Sequence, residues 1–172
     1  YDAVFLNGEK RTEINVNIPG EKQKENTELA LSVLDHLKGF IIPDYAIREG
    51  LNKVQWHGRN QMLQKNPPII FDVAHNVEGF RSFLDYYQSL KVSGKSILVL
   101  ALYLRKHIRD IVPKLENVFQ HIICTETEGR SPMPVDILSS HFSQGHSIEM
   151  IKDLPAAIRK GLKGLSADGG MA

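Results

Sequence analysis

After Pro68 the chain alternates short apolar runs with helical stripes, and this rhythm constrains the fold more tightly than any other feature. Residues 69–72, 96–101, 121–125 and 147–150 read as strands. The first is followed by Phe80, Phe83, Leu84, Tyr87 and Leu90 on one helical face, the second by Ile108, Ile111, Val112 and Leu115. A helix is expected around residues 135–142, and a last one opens at Asp153 with Pro155 in its first turn and runs to about Leu165. The run over residues 96–101 is continuously apolar rather than alternating, as in strands buried on both faces of a parallel sheet. Four strand–helix units in succession predict an α/β, Rossmann-like fold, a mostly parallel sheet with helices on both faces.

The first 52 residues have another texture. Residues 1–6, the turn Asn7-Gly8 and the alternation Ile14, Val16, Ile18 predict a β-hairpin, closed by Pro19-Gly20. A helix follows from about Lys22 to Lys38, with an apolar stripe of Leu29, Ala30, Val33, Leu34 and Leu37 and with Gly39 at its C-cap. A short helix covers residues 44–51, and the polar stretch 52–68 reads as a connector and domain boundary. The chain begins inside a hairpin, and Ser166 to Ala172 read as a turn leading to a strand that is not present. A piece of a longer polypeptide is therefore expected, divided into residues 1–52 and 53–172, with the final strand missing.

The segment Asp72-Val73-Ala74-His75-Asn76 lies between the first of these strands and its helix. Open α/β sheets bind ligands at the carboxyl ends of their strands. A helix mouth adds unpaired N–H groups and a partial positive charge suited to phosphate. Upstream, Trp56-His57-Gly58-Arg59 brings a guanidinium onto the connection into the same strand. A carboxylate for hydroxyls, an arginine for phosphate and a helix mouth together point to a nucleotide. Taken singly, Asn76 is more simply a helix cap, Asp72 a turn former, Arg59 a solvated charge, Trp56 a packing group and Cys124 a core residue.

Composition narrows the classes. Twenty-one basic and 20 acidic residues leave a net charge of +1 with no basic patch, which argues against nucleic acid. No apolar stretch reaches membrane-spanning length and nothing reads as a signal peptide, so a soluble cytoplasmic protein is expected. One cysteine excludes an internal disulfide and paired-cysteine zinc motifs. Neither G-x-G-x-x-G nor G-x-S-x-G occurs, which disfavours a dinucleotide dehydrogenase and a hydrolase.

Four segments in order carry a resemblance: Pro19-Gly20 with Gln23 and Asn26, then Ile47-Arg48-Glu49-Gly50-Leu51, then Trp56-His57-Gly58-Arg59, then Asp72-Val73-Ala74-His75-Asn76. Together they resemble folylpolyglutamate synthase/dihydrofolate synthase of the Mur ligase superfamily. The resemblance implies a Mur ligase C-terminal domain preceded by the tail of a central ATP-binding domain. It implies an ATP-dependent amide ligase acting in folate biosynthesis and one-carbon metabolism. ATP and Mg2+ would be its cofactors, L-glutamate and dihydropteroate or folate its substrates, and a monomer its state. ATP converts a carboxylate to an acyl phosphate, which the glutamate amine then attacks. By the same resemblance Asn26 contacts adenine with Gln23 beside it, Arg59 holds the phosphates and stabilises charge in transfer, and Asp72 accepts from the ribose hydroxyls. His75 and Asn76 line the cleft by the transferring phosphate and the incoming glutamate.

Departures are local. His57 stands where the family has proline, Val73 where it has glycine and Val77 where it has proline. The family's Asp-Lys-Asp is Arg105-Lys106-His107, which retains Lys106 alone, and Glu128 to Pro132 resembles an arginine-bearing loop, with Arg130 as its candidate. Lys106 and Arg130 are thus expected to touch substrate. No GxxxxGK[ST] loop occurs in the 172 residues, and the family's metal ligands lie mostly outside them, so no metal ligand is assigned and the chain alone is expected to be inactive. Two alternatives stay open: another Mur-type amide ligase, or a stand-alone nucleotide-binding or regulatory domain.

Overall fold

The computed structural model describes residues 2–7, 9–104 and 108–172, those before Ile14 by backbone alone. They form two compact units, residues 1–61 and 62–172.

In the first unit β1 (Asp2–Asn7) and β2 (Glu9–Asn15) pair as the expected antiparallel hairpin. Helix α1 (Glu21–Asp35) and helix α2 (Asp44–Lys53) follow. Ile14, Val16, Ile18, Leu31 and Ile47 form a small core. The expected stripe on α1 is a correction: Leu29, Val33 and Leu37 are 67, 55 and 43% exposed. The helix instead buries Thr27 and Leu31, and of the expected stripe Leu34 packs with Leu31 on the described core of this unit. It also ends at His36, before Gly39.

The second unit contains a six-stranded sheet in the order β3-β4-β8-β5-β6-β7. Its strands are β3 (Gln61–Lys65), β4 (Pro68–Phe71), β5 (Ser96–Leu100), β6 (His121–Cys124), β7 (Ile148–Met150) and β8 (Gly170–Met171). The neighbours from β4 to β7 run parallel. Successive strand residues point to opposite faces. Ile70, Leu98 and Ile122 therefore pack beneath α3 (Val77–Ser89), α4 (Val112–Val118) and α5 (Val135–Ser139), while Ile69, Ile97, Ile123 and Met171 meet α6 (Leu154–Lys163) on the other face. Phe119 stacks on Phe83 at 6.2 Å and tilts against Tyr87 at 4.8 Å, filling the larger core. Gly161 lets α6 approach closely, since a Cβ there would stand 2.6 Å from Met171 Sδ.

Three further expectations change. The connector over 52–68 contains β3, whose five residues carry only half-buried or exposed side chains and hence no core signature. The expected turn after Ser166 leads into β8, two residues that pair in the middle of the sheet between β4 and β5. Helix α4 starts later than its stripe, because Pro113 sits at its first turn and Ile108 and Ile111 are buried in the turn before it. Among the described residues no helix is long and apolar enough to cross a membrane.

Candidate functional site

β4 ends where Asp72 turns the chain. The Ala74 N–H donates to Asp72 Oδ1 at 2.7 Å, which bends the backbone away from the sheet and into α3. Asn76 is the N-cap: the Gly79 N–H donates to its Oδ1 at 2.7 Å. The capping reading of Asn76 is thus realised, at the end of α3 that carries the positive pole of its dipole. His75 Nδ1 stands 3.1 Å from the Val73 carbonyl oxygen, which can only accept, so Nδ1 is the donor of this contact.

This corner opens onto a cavity of about 460 Å3 at the carboxyl ends of β4, β5 and β6, whose wall does not include Asn76. Asp72 and His75 line it together with Tyr103, Thr125 and Thr127, three residues that sequence reasoning passed over. Their signal is positional: each follows closely on a parallel strand, where α/β sheets place ligand contacts. Thr125 is buried and its hydroxyl donates to the Lys152 carbonyl at 3.2 Å, tying β6 to the loop after β7. A second cavity, lined by Lys91, Lys95 and Asn117 among others, lies at the opposite end of the sheet, near the start of β5.

Arg130 belongs to a loop stitched onto the end of β5. The Leu104 N–H donates to the Ser131 carbonyl at 3.2 Å, the Met133 N–H to the Leu102 carbonyl at 2.8 Å, and Tyr103 bridges to Pro132. Gly129 and Ser131, on either side of Arg130, have φ of +128° and +66°. Arg130 is exposed and is not in the cavity wall. Lys106, with Arg105 and His107, lies outside the described residues.

The remaining candidates sit in the first unit. Gln23 and Asn26 occupy the first turns of α1, and Asn26 Nδ2 donates to Gln23 Oε1 at 3.2 Å, so the two side chains share one face. Arg59 is half-buried, beside Gly58 at φ +72°. The next residue, Asn60, is buried and donates through Nδ2 to the Pro19 carbonyl at 3.1 Å. A side chain at Gly20 (φ +111°) would collide with that amide at 2.7 Å. Asn60 therefore holds the Arg59 loop to the turn that starts α1, a link between segments 41 residues apart that no local pattern discloses.

Burial pushes the Cys124 thiol up to about 12, consistent with a core residue and unsuited to a nucleophile. Among the described residues no group of three His, Cys, Asp or Glu side chains could hold a metal ion.

Residues 58–171 match the family described as Mur ligase, glutamate ligase domain, and the chain belongs to that family. Within it, the chain is similar to dihydrofolate synthase/folylpolyglutamate synthase. It is 27% identical over 126 residues to that protein of Escherichia coli strain K12, covering 73% of this chain and 30% of the relative. Against the Bacillus subtilis strain 168 counterpart the identity is 28% over 109 residues, covering 62 and 25%. The structure aligns with the crystal structure of the bifunctional folylpolyglutamate synthase/dihydrofolate synthase of Yersinia pestis, complexed with AMPPNP and Mn ion. The TM-score is 0.79 and the identity 26%, over 95% of this chain and 38% of that one. An E. coli structure in complex with DHPP and ADP shares the fold at a TM-score of 0.83 and 22% identity, over 95 and 38% of the two chains. The chain thus spans between a quarter and two fifths of the length of these proteins.

Proposed function

We propose that this chain supplies the glutamate ligase domain, with the adjoining end of an ATP-binding domain, of an ATP-dependent ligase that joins L-glutamate to dihydropteroate or a folate. The observation that carries the reading is the Asp72–His75–Asn76 constellation at the carboxyl edge of the parallel sheet, in a chain of this family. The nucleotide complex of the Yersinia pestis relative supports the choice of ATP.

In this reading residues 1–52 are the tail of the ATP-binding domain and residues 53–172 the ligase domain. Arg59 takes the phosphates of ATP, because a guanidinium offers a fork of donors to the charge that develops during transfer. Gln23 and Asn26 present an amide pair to the base, and the Asp72 carboxylate accepts from the ribose hydroxyls. His75, Asn76, Lys106 and Arg130 attend the phosphate and the carboxylates of glutamate, in binding and positioning rather than proton transfer. A divalent ion serves the phosphates when bound, on ligands other than those described here. Chemistry requires a carboxylate to be activated before an amine can displace oxygen, and an acyl phosphate must be kept from water. The 172 residues alone contain no P-loop and are inactive by this reading, and the complete enzyme is a cytoplasmic monomer.

The test is the intact mass of the gene product in its own cells, followed by an assay of ATP cleavage. A mass well above 19.4 kDa, a GxxxxGK[ST] peptide and glutamate-dependent ATP cleavage with a pteroate or folate substrate are expected. A native product of 19.4 kDa without such a peptide would leave a nucleotide-binding or regulatory domain instead.

A further inference from the structure

The turn before β3 sets an unused histidine nitrogen two residues from Arg59. His57, Gly58, Arg59 and Asn60 form this turn, and Gln61 opens β3. His57 stands where the family has proline, whose side chain offers no donor.

The hydrogen bonds of the turn decide which ring nitrogen carries the proton. The Gly58 N–H donates to Gln61 Oε1 at 3.0 Å, and a backbone N–H can only donate. That contact fixes the Gln61 amide. Its oxygen faces Gly58, so its Nε2 is the group 3.2 Å from His57 Nδ1. An amide NH2 only donates, so Nδ1 accepts, and a ring whose Nδ1 accepts holds its proton on Nε2. The exposed His57 ring therefore offers Nε2–H as a donor.

The turn is held on both sides of Arg59. Gln61 ties His57 and Gly58 together, and Gly58 has φ +72°. Asn60, at φ +45°, is buried and fastened to the Pro19 carbonyl. Neither His57 Nε2 nor the Arg59 guanidinium makes a hydrogen bond or ion pair among the described residues. The acceptors Gln61 Oε1 and His57 Nδ1 are consumed in holding the turn, whereas the ring and guanidinium donors are left over. Residues two apart have α-carbons no more than about 7 Å apart, a span that one polyphosphate can bridge.

We propose that His57 is a second phosphate-contacting residue of this chain. Its Nε2–H donates to a nonbridging oxygen of the nucleotide polyphosphate beside the Arg59 guanidinium, and Gln61 positions it by keeping Nδ1 an acceptor. The inference rests on the assignment of Arg59 to the phosphates of ATP. A neutral N–H adds a directional bond to a charged oxygen without adding charge, and only the tautomer that Gln61 selects can supply it.

The experiment uses the full-length protein with 15N-labelled histidine. In mildly alkaline buffer the His57 ring should show the Nε2–H tautomer. Its Nε2 resonance should move on addition of AMPPNP with Mg2+ but not of adenosine, which has no phosphate. In glutamate-dependent ATP cleavage His57→Ala should lower kcat/KM for ATP at least about tenfold, as loss of a hydrogen bond to a charged group does, and leave the KM for glutamate unchanged. His57→Gln, whose amide keeps an N–H of similar reach, should recover most of the loss. An Nδ1–H tautomer overturns the proposal, as does an Nε2 resonance that adenosine moves as far as AMPPNP does. A parental rate in His57→Ala beside a slow Arg59→Ala overturns the role of His57 alone. Parental rates in both variants overturn the assignment of Arg59 as well.

Discussion

The mouth of α3 depends on Asp72, His75 and Asn76, each of which holds a backbone group. Replacing Asn76 with Ala removes the acceptor of the Gly79 N–H and should cost about 1 kcal/mol, measured by urea denaturation, whereas Asn76→Asp should be close to neutral. Asp72→Asn keeps an oxygen for the Ala74 N–H but loses the charge. On the proposed reading, Asp72→Asn in the full-length protein should raise the KM for ATP; an unaltered KM counts against the ribose assignment. Arg59→Ala in the same enzyme should lower turnover by about two to three orders of magnitude, as loss of one transition-state donor does, and an unchanged rate removes Arg59 from the mechanism. Cys124 gives a pH signature. Its thiol is pushed up to about 12 in the native state, against 9.0 as its ordinary value. Between these values the unfolded chain loses a proton that the folded one keeps, so stability falls as pH rises from about 9 towards 12. Iodoacetamide at pH 8 should label Cys124 only after denaturation.

The elements that bear the site were legible where their information is local. The strands over residues 69–72, 96–101 and 121–125 emerge within a residue or two as β4, β5 and β6, because continuous apolar runs between turn residues have few other solutions. The caps Asp153 and Asn76 sit where their residue types imply. β3 and β8 escaped because one is polar and exposed and the other is two residues long. Each is a strand only because a neighbour offers it a ladder. The glycine in α6 likewise has a meaning that only packing supplies. Gly161→Val should drive a side chain into Met171 and Val99 and destabilise the second unit by about 1–3 kcal/mol, read from its thermal melt. A melt within a few tenths of a degree of the parent would show that α6 has room to shift.

Across the whole molecule the two units differ in the core each can build. Residues 62–172 bury an aromatic and aliphatic interior between the sheet and helices on both faces. Among the described side chains of residues 14–61, five apolar ones are buried in a common core, and Phe40, Ile41 and Tyr45 are exposed along with one face of α1. Amides of the buried turns of α1 should therefore exchange at least about tenfold faster than those of β5 and β6, a comparison native-state hydrogen exchange makes directly. Equal protection would mean that the smaller core is reinforced in a way its contacts do not reveal. The amino-acid sequence by itself determined the parallel α/β class, the positions of the main strands and helices, and the Asp72–Asn76 corner. Periodicity, turn chemistry and capping act over a few residues and leave their mark in order along the chain. Only the tertiary structure decided which face of α1 is buried, that β8 enters the middle of the sheet, that Asn60 fastens Arg59's loop to Pro19, and that Tyr103, Thr125 and Thr127 share a cavity with Asp72. Those outcomes depend on pairings between distant segments, whose energies come from ladders and packing that no local pattern encodes.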